Sequence, residues 1–242
     1  MARIEELASK VRAARALRNH ATDEAGGLVK ASLHRLARNI DASGKLGEVL
    51  SAPPRNGWSA KCDNADGGTP ILSLGAVTGF RYRATEHKRT LLYAPPDGHF
   101  WLQPGDMLIT RSNTPELVGH AAIYDGSPAP CIYPDLMMRL QLQDSRVERC
   151  FVWYWLQSSM VREFINKKAK GTSPTMKKIS QGTVMTIPFP ISLPLAEQRR
   201  IVRELDELQT EVDKLKYLQT EIATELDALL PSILDRAFKG EL

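Results

Sequence analysis

The sequence predicts an α+β fold in which one globular domain of mixed strands and helices lies between two long helical segments. Residues 1–40 and 194–242 place apolar residues at helical spacing, whereas residues 41–193 alternate short apolar runs with turn-forming Gly, Pro, Asn and Asp. The 242 residues, 43% of them hydrophobic, suffice for an ordinary buried core. We therefore expect three parts with these boundaries.

The first segment, residues 1–40, is predicted to be helical. Its apolar residues recur every three or four positions, which is the spacing of one helix face. Gly26-Gly27 weakens a helix by about 1 kcal/mol per glycine, so the sequence leaves open one helix, a kinked helix or two shorter ones. The apolar positions are Ile4, Leu7, Val11, Ala14, Ala21, Ala25, Leu28, Leu33, Leu36 and Ile40.

The middle segment, residues 41–193, has the texture of strands and turns. Turn-like stretches such as PPRNG, NADGGTP and YDGSPAP separate its short apolar runs. One longer stretch, residues 148–169, predicts a helix. Because strands and helices do not alternate regularly, we expect α+β and not α/β architecture. The predicted strands are residues 71–74, 90–93, 107–110, 121–124, 136–142 and 183–188.

The last segment, residues 194–242, has the clearest periodicity, with one heptad register that predicts a coiled-coil helix. A helix over residues 195–230 would extend about 50 Å, longer than a compact domain of this size is wide, so we expect it to project. Pro231 predicts a kink or the end of this helix, with the tail forming a separate turn. The heptad positions are Ile201, Leu205, Leu208, Val212, Leu215, Gln219, Ile222, Leu226 and Leu229.

The two helical segments carry opposite charge. Residues 1–40 contain 8 Lys or Arg against 4 Asp or Glu, whereas residues 191–242 contain 7 against 11. This complementarity predicts an antiparallel coiled coil between them, within one chain or across a homodimer. The part between them is also basic, with 17 against 13, and the whole chain has net charge +4.

Cysteine usage and the N-terminus suggest a cytoplasmic protein. Cys62, Cys131 and Cys150 lack metal-ligand spacing and suit small buried side chains in a reducing compartment. The first twenty residues are charged and periodic, unlike a signal peptide, and no run of 18 apolar residues occurs. We expect no metal site, no cofactor and no membrane partner.

Motifs for catalysis are absent from the sequence. It has no glycine-rich cofactor turn or polar-Pro-Pro-aromatic motif of a DNA methyltransferase, and no Gly-x-Ser-x-Gly elbow. One alternative remains, because Asp66, Glu86 and Lys88 follow the acid, acid-x-Lys order of a metal-dependent nuclease. Asp66 lies in a glycine-rich turn and no apolar strand precedes Glu86, so we favour a chain without catalytic residues.

Basic and polar residues near turns are instead typical of a DNA-binding surface. Lysines suit phosphate contacts, while Arg and Asn can form paired hydrogen bonds with guanine or adenine. Five lysines between residues 167 and 178 surround Gly171-Thr172-Ser173. The predicted DNA-binding residues are Lys61, Arg81, Arg83, Lys88, Arg111, Ser112, Asn113, Lys167, Lys168, Lys170, Thr172, Lys177 and Lys178.

Several collinear motifs give the chain a family resemblance over nearly its whole length. It resembles half of the specificity subunit of type I restriction–modification systems, with one target-recognition domain where that subunit has two. Any one motif is weak, but their order is specific. The motifs are PRNGWS (54–59), GTPIL (68–72), PGDMLITR (104–111), LVG (117–119), GT (171–172), IS (179–180), PLAEQRRIV (194–202), LPSIL (230–234) and AFKGEL (237–242).

The resemblance implies a non-catalytic subunit that reads one half of a split site in double-stranded DNA. It further implies docking of modification (methyltransferase) subunits, and it leaves open whether restriction subunits join. A half-length form, whether natural or a truncation, would be expected to pair with a second copy. A self-contained nuclease and a non-reading protein that binds methyltransferase subunits remain the alternatives.

Overall fold

The computed structural model describes residues 2–62, 67–171, 173 and 175–239. The chain divides into two compact units. One unit combines the N-terminal residues up to Ser32 with the residues from Arg203 onward, and the other comprises Leu33–Val202. No helix in the described ranges combines the length and the apolar character needed to cross a membrane.

Helix α1 spans Ala2–Arg38 without interruption. Gly26-Gly27 therefore lies inside one helix, which decides among the alternatives that the sequence left open. The neighbouring Ala25 is buried, as are Val11 and Leu33. Packing of such a face offsets the weak intrinsic helix propensity of two glycines.

A four-stranded antiparallel sheet forms the centre of the Leu33–Val202 unit, and its strands lie in the order β2 (Leu50–Asn56), β8 (Met137–Leu142), β5 (Met107–Thr110) and β7 (Ala121–Ile123). Strand β5, in the interior, is completely buried, and its register pairs Ile109 with Met138 on one side and with Ala121 on the other.

Three two-stranded antiparallel pairs surround this sheet: β1 with β10, β3 with β4, and β6 with β9. The first joins the two ends of the domain, because Gly44 pairs with Phe189. Their bounds are β1 (Gly44–Lys45), β3 (Thr69–Leu72), β4 (His87–Thr90), β6 (Ser112–Asn113), β9 (Lys177–Lys178) and β10 (Pro188–Phe189).

The predicted strand 107–110 is confirmed, and 121–124 and 136–142 are confirmed to within one residue. Two others are wrong in part. The strand predicted at 90–93 lies three residues earlier, as β4. Residues 87–90 pair with β3, whereas Leu91–Tyr93 are exposed and follow the strand. The predicted strand 71–74 lies two residues earlier, as β3.

The prediction of a strand at 183–188 is wrong except at Pro188: Ser180 caps a short helix, α4 (Gln181–Met185), which takes up the first half of this range, and only Pro188 is in a strand. Strand β2 was not among the predicted strands, and it contains Pro53-Pro54. Proline cannot donate a ladder hydrogen bond, but β2 is an edge strand whose register shifts between Ala52 and Arg55, so both prolines are tolerated.

The single helix predicted for residues 148–169 is two helices, α2 (Arg149–Gln157) and α3 (Ser159–Lys168). The break lies at Ser158, whose backbone is extended and whose hydroxyl accepts a hydrogen bond from the Val161 N–H. A serine in this position ends one helix and caps the next. Trp153 in α2 donates to the Ala121 carbonyl at 3.2 Å, which fixes the helix against β7.

Helix α5 spans Leu195–Phe238 and contains Pro231 in its interior. The predicted separate tail turn at Pro231 is therefore wrong. Proline removes one backbone hydrogen bond, but the turns on either side keep theirs, and helical structure continues to Phe238. At about 1.5 Å per residue, the 44 residues extend about 66 Å.

Candidate nucleic-acid interface

Strand β5 positions the first group of candidate residues. Its four buried residues end at Thr110, and the chain then leaves the sheet at Arg111. The Arg111 N–H donates to the Leu136 carbonyl at 2.8 Å, and the Arg111 carbonyl accepts from the Ile179 N–H at 2.9 Å. The backbone of Arg111 is therefore held between the start of β8 and the end of the lysine-rich segment.

Strand pairing brings the lysine-rich segment to this point. In the β6–β9 pair, Ser112 lies opposite Lys178 and Asn113 lies opposite Lys177. Lys178 in turn forms an antiparallel bridge with Lys170, whose N–H donates to the Lys178 carbonyl at 2.9 Å while the reverse bond is 2.7 Å. Residues more than 60 positions apart in the sequence thus form one surface.

A pocket of about 490 Å³ opens in this surface. Four of the side chains that line it are cationic and none is acidic. We call it the Arg111 pocket, and it is lined by Arg111, Lys168, Lys170, Lys178, Ile179, Ser180, Gly182, Thr183 and Thr186.

The remaining lysines of the cluster differ in their placement. Lys177 donates through Nζ to the Gly171 carbonyl at 2.9 Å, on the other face of β9. Lys167 is exposed in the last turn of α3 and does not line the Arg111 pocket. Lys168 places Nζ 6.0 Å from the centroid of the Phe164 ring. Thr172, also predicted to contact DNA, lies outside the described residues.

The two polar residues after Arg111 are less exposed than their sequence suggests. Ser112 is 2% exposed, and its Oγ has no hydrogen-bond partner within the described ranges. Asn113 is half-buried, and its Oδ1 accepts from the Thr114 N–H at 2.9 Å. Its amide nitrogen carries the donors that a base contact would use.

The other predicted DNA-binding residues lie away from the Arg111 pocket. Lys61 is exposed beside the undescribed residues 63–66, and Lys88 is exposed on β4. The Arg83 side chain forms hydrogen bonds within the chain, because its Nη1 donates to the Gly75 and Thr78 carbonyls at 3.0 and 2.6 Å. Arg81 is exposed in the same loop.

That loop is held by an aromatic contact. Phe80 adopts a left-handed backbone conformation (φ 57°), and its ring centroid lies 4.3 Å from that of His120. The Gly79 N–H donates to His120 Nδ1 at 2.9 Å. The Arg162 guanidinium carbon lies over the Phe80 ring, 5.5 Å from its centroid, and burial lowers the pKa of this guanidinium to about 10. Arg81 is therefore presented by an anchored loop.

Three polar residues of the Arg111 pocket were not among the predicted site residues: Ser180, Thr183 and Thr186. Ser180 and Thr183 cap α4 reciprocally, since the Ser180 hydroxyl accepts from the Thr183 N–H at 3.0 Å. Ser180 belongs to the IS motif, and because serine is a preferred N-cap residue it is the sequence signal that could have indicated the start of this helix.

The nuclease alternative gains no support from the geometry. Glu86 accepts a hydrogen bond from the Ser73 hydroxyl at 3.1 Å, and Asp66 lies outside the described residues. Within the part of the chain that the structure describes, no three His, Cys, Asp or Glu side chains are grouped as metal ligands.

The heptad positions of α5 divide into buried and exposed residues. Ile201, Leu205 and Val212 are buried, and Leu208 and Gln219 are half-buried. Leu215 and Ile222 are each 45% exposed. The side chains of Leu226 and Leu229 lie outside the described ones.

A second face of α5 contacts α1 in the same unit. Lys216 Nζ lies 3.5 Å from the position that a Cβ on Gly26 would occupy. The exposed heptad residues Leu215 and Ile222 are joined by Leu218, also 45% exposed, so an apolar stripe remains on α5 in the single chain.

Comparisons with known proteins all point to the same protein family. Residues 42–224 match the type I restriction modification DNA specificity domain. The chain is 25% identical over 226 residues to the EcoKI specificity subunit of a type I restriction enzyme from Escherichia coli K12, which is 90% of this chain and 48% of that protein. It is 23% identical over 199 residues to the EcoEI specificity subunit of Escherichia coli, which is 79% of this chain and 33% of that one.

Solved structures show the same likeness. A chain from a type I R-M system, studied for its complex assembly and conformational transition, superposes with a TM-score of 0.73 at 26% identity, over 100% of this chain and 58% of that chain. The HsdS subunit from Thermoanaerobacter tengcongensis superposes with a TM-score of 0.57 at 25% identity, over 100% of this chain and 57% of that chain. The chain spans between 33% and 58% of the length of these relatives.

Proposed function

The chain belongs to the family of type I restriction–modification DNA specificity domains, and from this we propose that it is a sequence-specific DNA-binding specificity subunit that performs no catalytic step itself. The observation that carries the proposal is the extent of the family match. Residues 42–224 include the whole strand-and-turn domain and most of the described part of α5. The matched segment also contains every residue of the Arg111 pocket, which supplies the positive charge that DNA binding requires.

We further propose that the chain works as a pair. It contains one recognition domain, and the exposed stripe Leu215, Leu218 and Ile222 offers apolar surface for a second copy. Leu17 and Leu28 on α1 are exposed as well. In an antiparallel coiled-coil dimer the basic α1 and acidic α5 segments would also complement one another. A twofold pair would place identical domains on an interrupted palindrome.

Modification subunits are the proposed protein partners, in a cytoplasmic complex. The named relatives are specificity subunits of type I restriction enzymes, a description that presupposes separate subunits for the chemistry. In this scheme double-stranded DNA contacts the recognition domain, and the helices dock the methyltransferase subunits. Restriction subunits would be further partners of the same assembly.

Co-purification followed by methylation mapping tests the proposal. The tagged full chain is expressed in its own host, the bound proteins are identified, and genomic methylation is mapped with and without the chain. We expect a methyltransferase partner and methylation at one interrupted palindrome that disappears when the chain is deleted.

Two results would contradict this proposal. A complex that forms but shows no sequence preference in a DNA selection would indicate a non-reading interaction protein. Mg²⁺-dependent cleavage by the purified chain, lost in Glu86→Ala, would indicate a nuclease.

A further inference from the structure

The Arg111 pocket concentrates positive charge that nothing in its lining neutralises. Arg111, Lys168, Lys170 and Lys178 all line it, and the other lining residues are apolar, glycine or hydroxyl-bearing. Like charges held close together destabilise a folded protein unless an anion or a carboxylate offsets them. The lining therefore fits a negatively charged ligand.

The backbone geometry places two of the lysines side by side. Lys170 and Lys178 exchange both backbone hydrogen bonds, at 2.9 and 2.7 Å, as a directly opposed antiparallel pair. Side chains of such a pair emerge on the same face, with Cβ atoms roughly 5 Å apart, and like charges there are unfavourable.

The alternation of β9 shows which lysines belong to the pocket. Lys178 lines it, whereas Lys177, the preceding residue, donates to the Gly171 carbonyl at 2.9 Å. On α3, Lys168 lines it and Lys167 does not. Two of the three pocket lysines, Lys168 and Lys178, thus have an adjacent lysine outside the pocket.

We propose that the Arg111 pocket binds one phosphate group and that Arg111 contacts phosphate instead of reading a base. A tetrahedral phosphate can accept hydrogen bonds from several cations at once, and the planar guanidinium of Arg111 can supply two of them. If the chain has the DNA-binding function proposed above, on which this step rests, the ligand is a phosphodiester of the DNA backbone. Sequence discrimination then belongs to other residues.

The first experiment uses no DNA. Thermal unfolding of the full chain is compared in inorganic phosphate and in chloride at equal ionic strength. We expect phosphate to raise Tm by a few degrees, because a ligand that binds only the folded state stabilises it. In the double variant Lys170→Gln, Lys178→Gln this difference disappears, and its Tm in low salt without phosphate exceeds that of the unchanged chain because the opposed charges are gone.

The matched control is Lys167→Gln with Lys177→Gln, which removes the same charge from outside the pocket. In this control variant we expect phosphate to raise Tm over chloride as it does in the unchanged chain. Equal phosphate stabilisation of the unchanged chain and the Lys170, Lys178 variant would overturn the proposal.

The second experiment measures DNA affinity of the chain with its co-purified partner as salt is varied. The Lys170, Lys178 variant is expected to lose about tenfold in affinity for target and non-target duplexes alike, and the slope of log affinity against log salt falls by about one. Arg111→Ala lowers affinity without changing the selected sequence. A changed base preference with an unchanged salt slope would overturn the role of Arg111. If the unchanged chain shows no sequence preference, the proposed function fails while the phosphate result still stands on its own.

Discussion

Gln198, near the start of α5, accepts a hydrogen bond through Oε1 from the backbone N–H of Glu148, at 2.9 Å. Its Nε2 donates to the Leu193 and Arg146 carbonyls at 2.9 and 3.3 Å, and the side chain is 1% exposed. One buried amide therefore joins the first turn of α5, the loop before it and the N-terminal end of α2. This contact gives a physical reason for glutamine in the PLAEQRRIV motif.

Gln198→Ala is expected to lower the free energy of unfolding by about 2–4 kcal/mol, because it leaves one buried N–H and two carbonyls without their partner. Urea denaturation measures the loss. The neighbouring Arg199→Ala serves as control, since the Arg199 side chain is 57% exposed and its ion pair with Glu148, at 3.4 Å, contributes below about 1 kcal/mol. An equal loss of unfolding free energy in the two variants would contradict this structural role of the Gln198 amide.

Arg139→Leu tests the ion pair with Asp106 in the centre of the recognition domain. Arg139 Nη1 lies 3.0 Å from Asp106 Oδ2, and the guanidinium also donates to the Trp101 and His99 carbonyls. Removing it strands a largely buried carboxylate, so we expect a loss of about 3–5 kcal/mol in the free energy of unfolding. Denaturant titration followed by tryptophan fluorescence checks this value.

The exposed pair Arg149 and Asp144 provides the comparison for that experiment. Arg149→Leu also removes a bond to the Gly105 carbonyl, yet both charges there remain in contact with solvent. A cost as large as that of Arg139→Leu would mean that burial is not what makes the Arg139 pair important.

Leu215→Glu with Ile222→Glu is expected to abolish the proposed dimer and leave the folded chain intact. Both side chains are 45% exposed in the single chain, so a glutamate at either position keeps contact with water when the chain is alone and loses it in the dimer. Leu205→Glu, at a side chain 1% exposed, should instead unfold its own surroundings. Sedimentation and circular dichroism separate the two results, and a dimer that survives the first pair of changes would refute this interface.

Alkaline pH is expected to destabilise the recognition domain. Burial raises the pKa of the Cys131 thiol to about 12 and also raises that of Tyr133 to about 12. The folded chain thus keeps protons that the unfolded chain releases above its ordinary thiol pKa of 9.0, so stability is lost as pH rises through this range. The urea midpoint should fall from pH 9 to pH 11, and less steeply in Cys131→Ala.

Thiol labelling gives an independent check of the same burial. Cys62 is exposed and should react rapidly with a thiol reagent at pH 8, whereas Cys131 should react only when the domain unfolds. Rapid labelling of Cys131 in the native chain would contradict the buried thiol.

Strands with continuous apolar sequence were predictable, and those set by pairing were not. Met107–Thr110 is buried on both faces, so its sequence is a short apolar run. Such a run indicates a buried strand without knowledge of its partners. His87–Thr90 is polar in three of four positions and becomes a strand only because β3 pairs with it. Pro53-Pro54 argues locally against a strand, but the edge position of β2 leaves room for both residues.

The sequence by itself determined the α+β composition, the long C-terminal helix, the lysine-rich segment and the resemblance to specificity subunits. These features depend on local spacing and motif order, which can be read from the linear sequence. Tertiary structure decided that Arg111 meets Lys170 and Lys178, and that Lys167 and Lys177 lie outside their pocket. It also divided the heptad stripe into buried Leu205 and exposed Leu215. Both outcomes depend on strand register and helix packing, where residues distant in sequence determine which face of each element is covered.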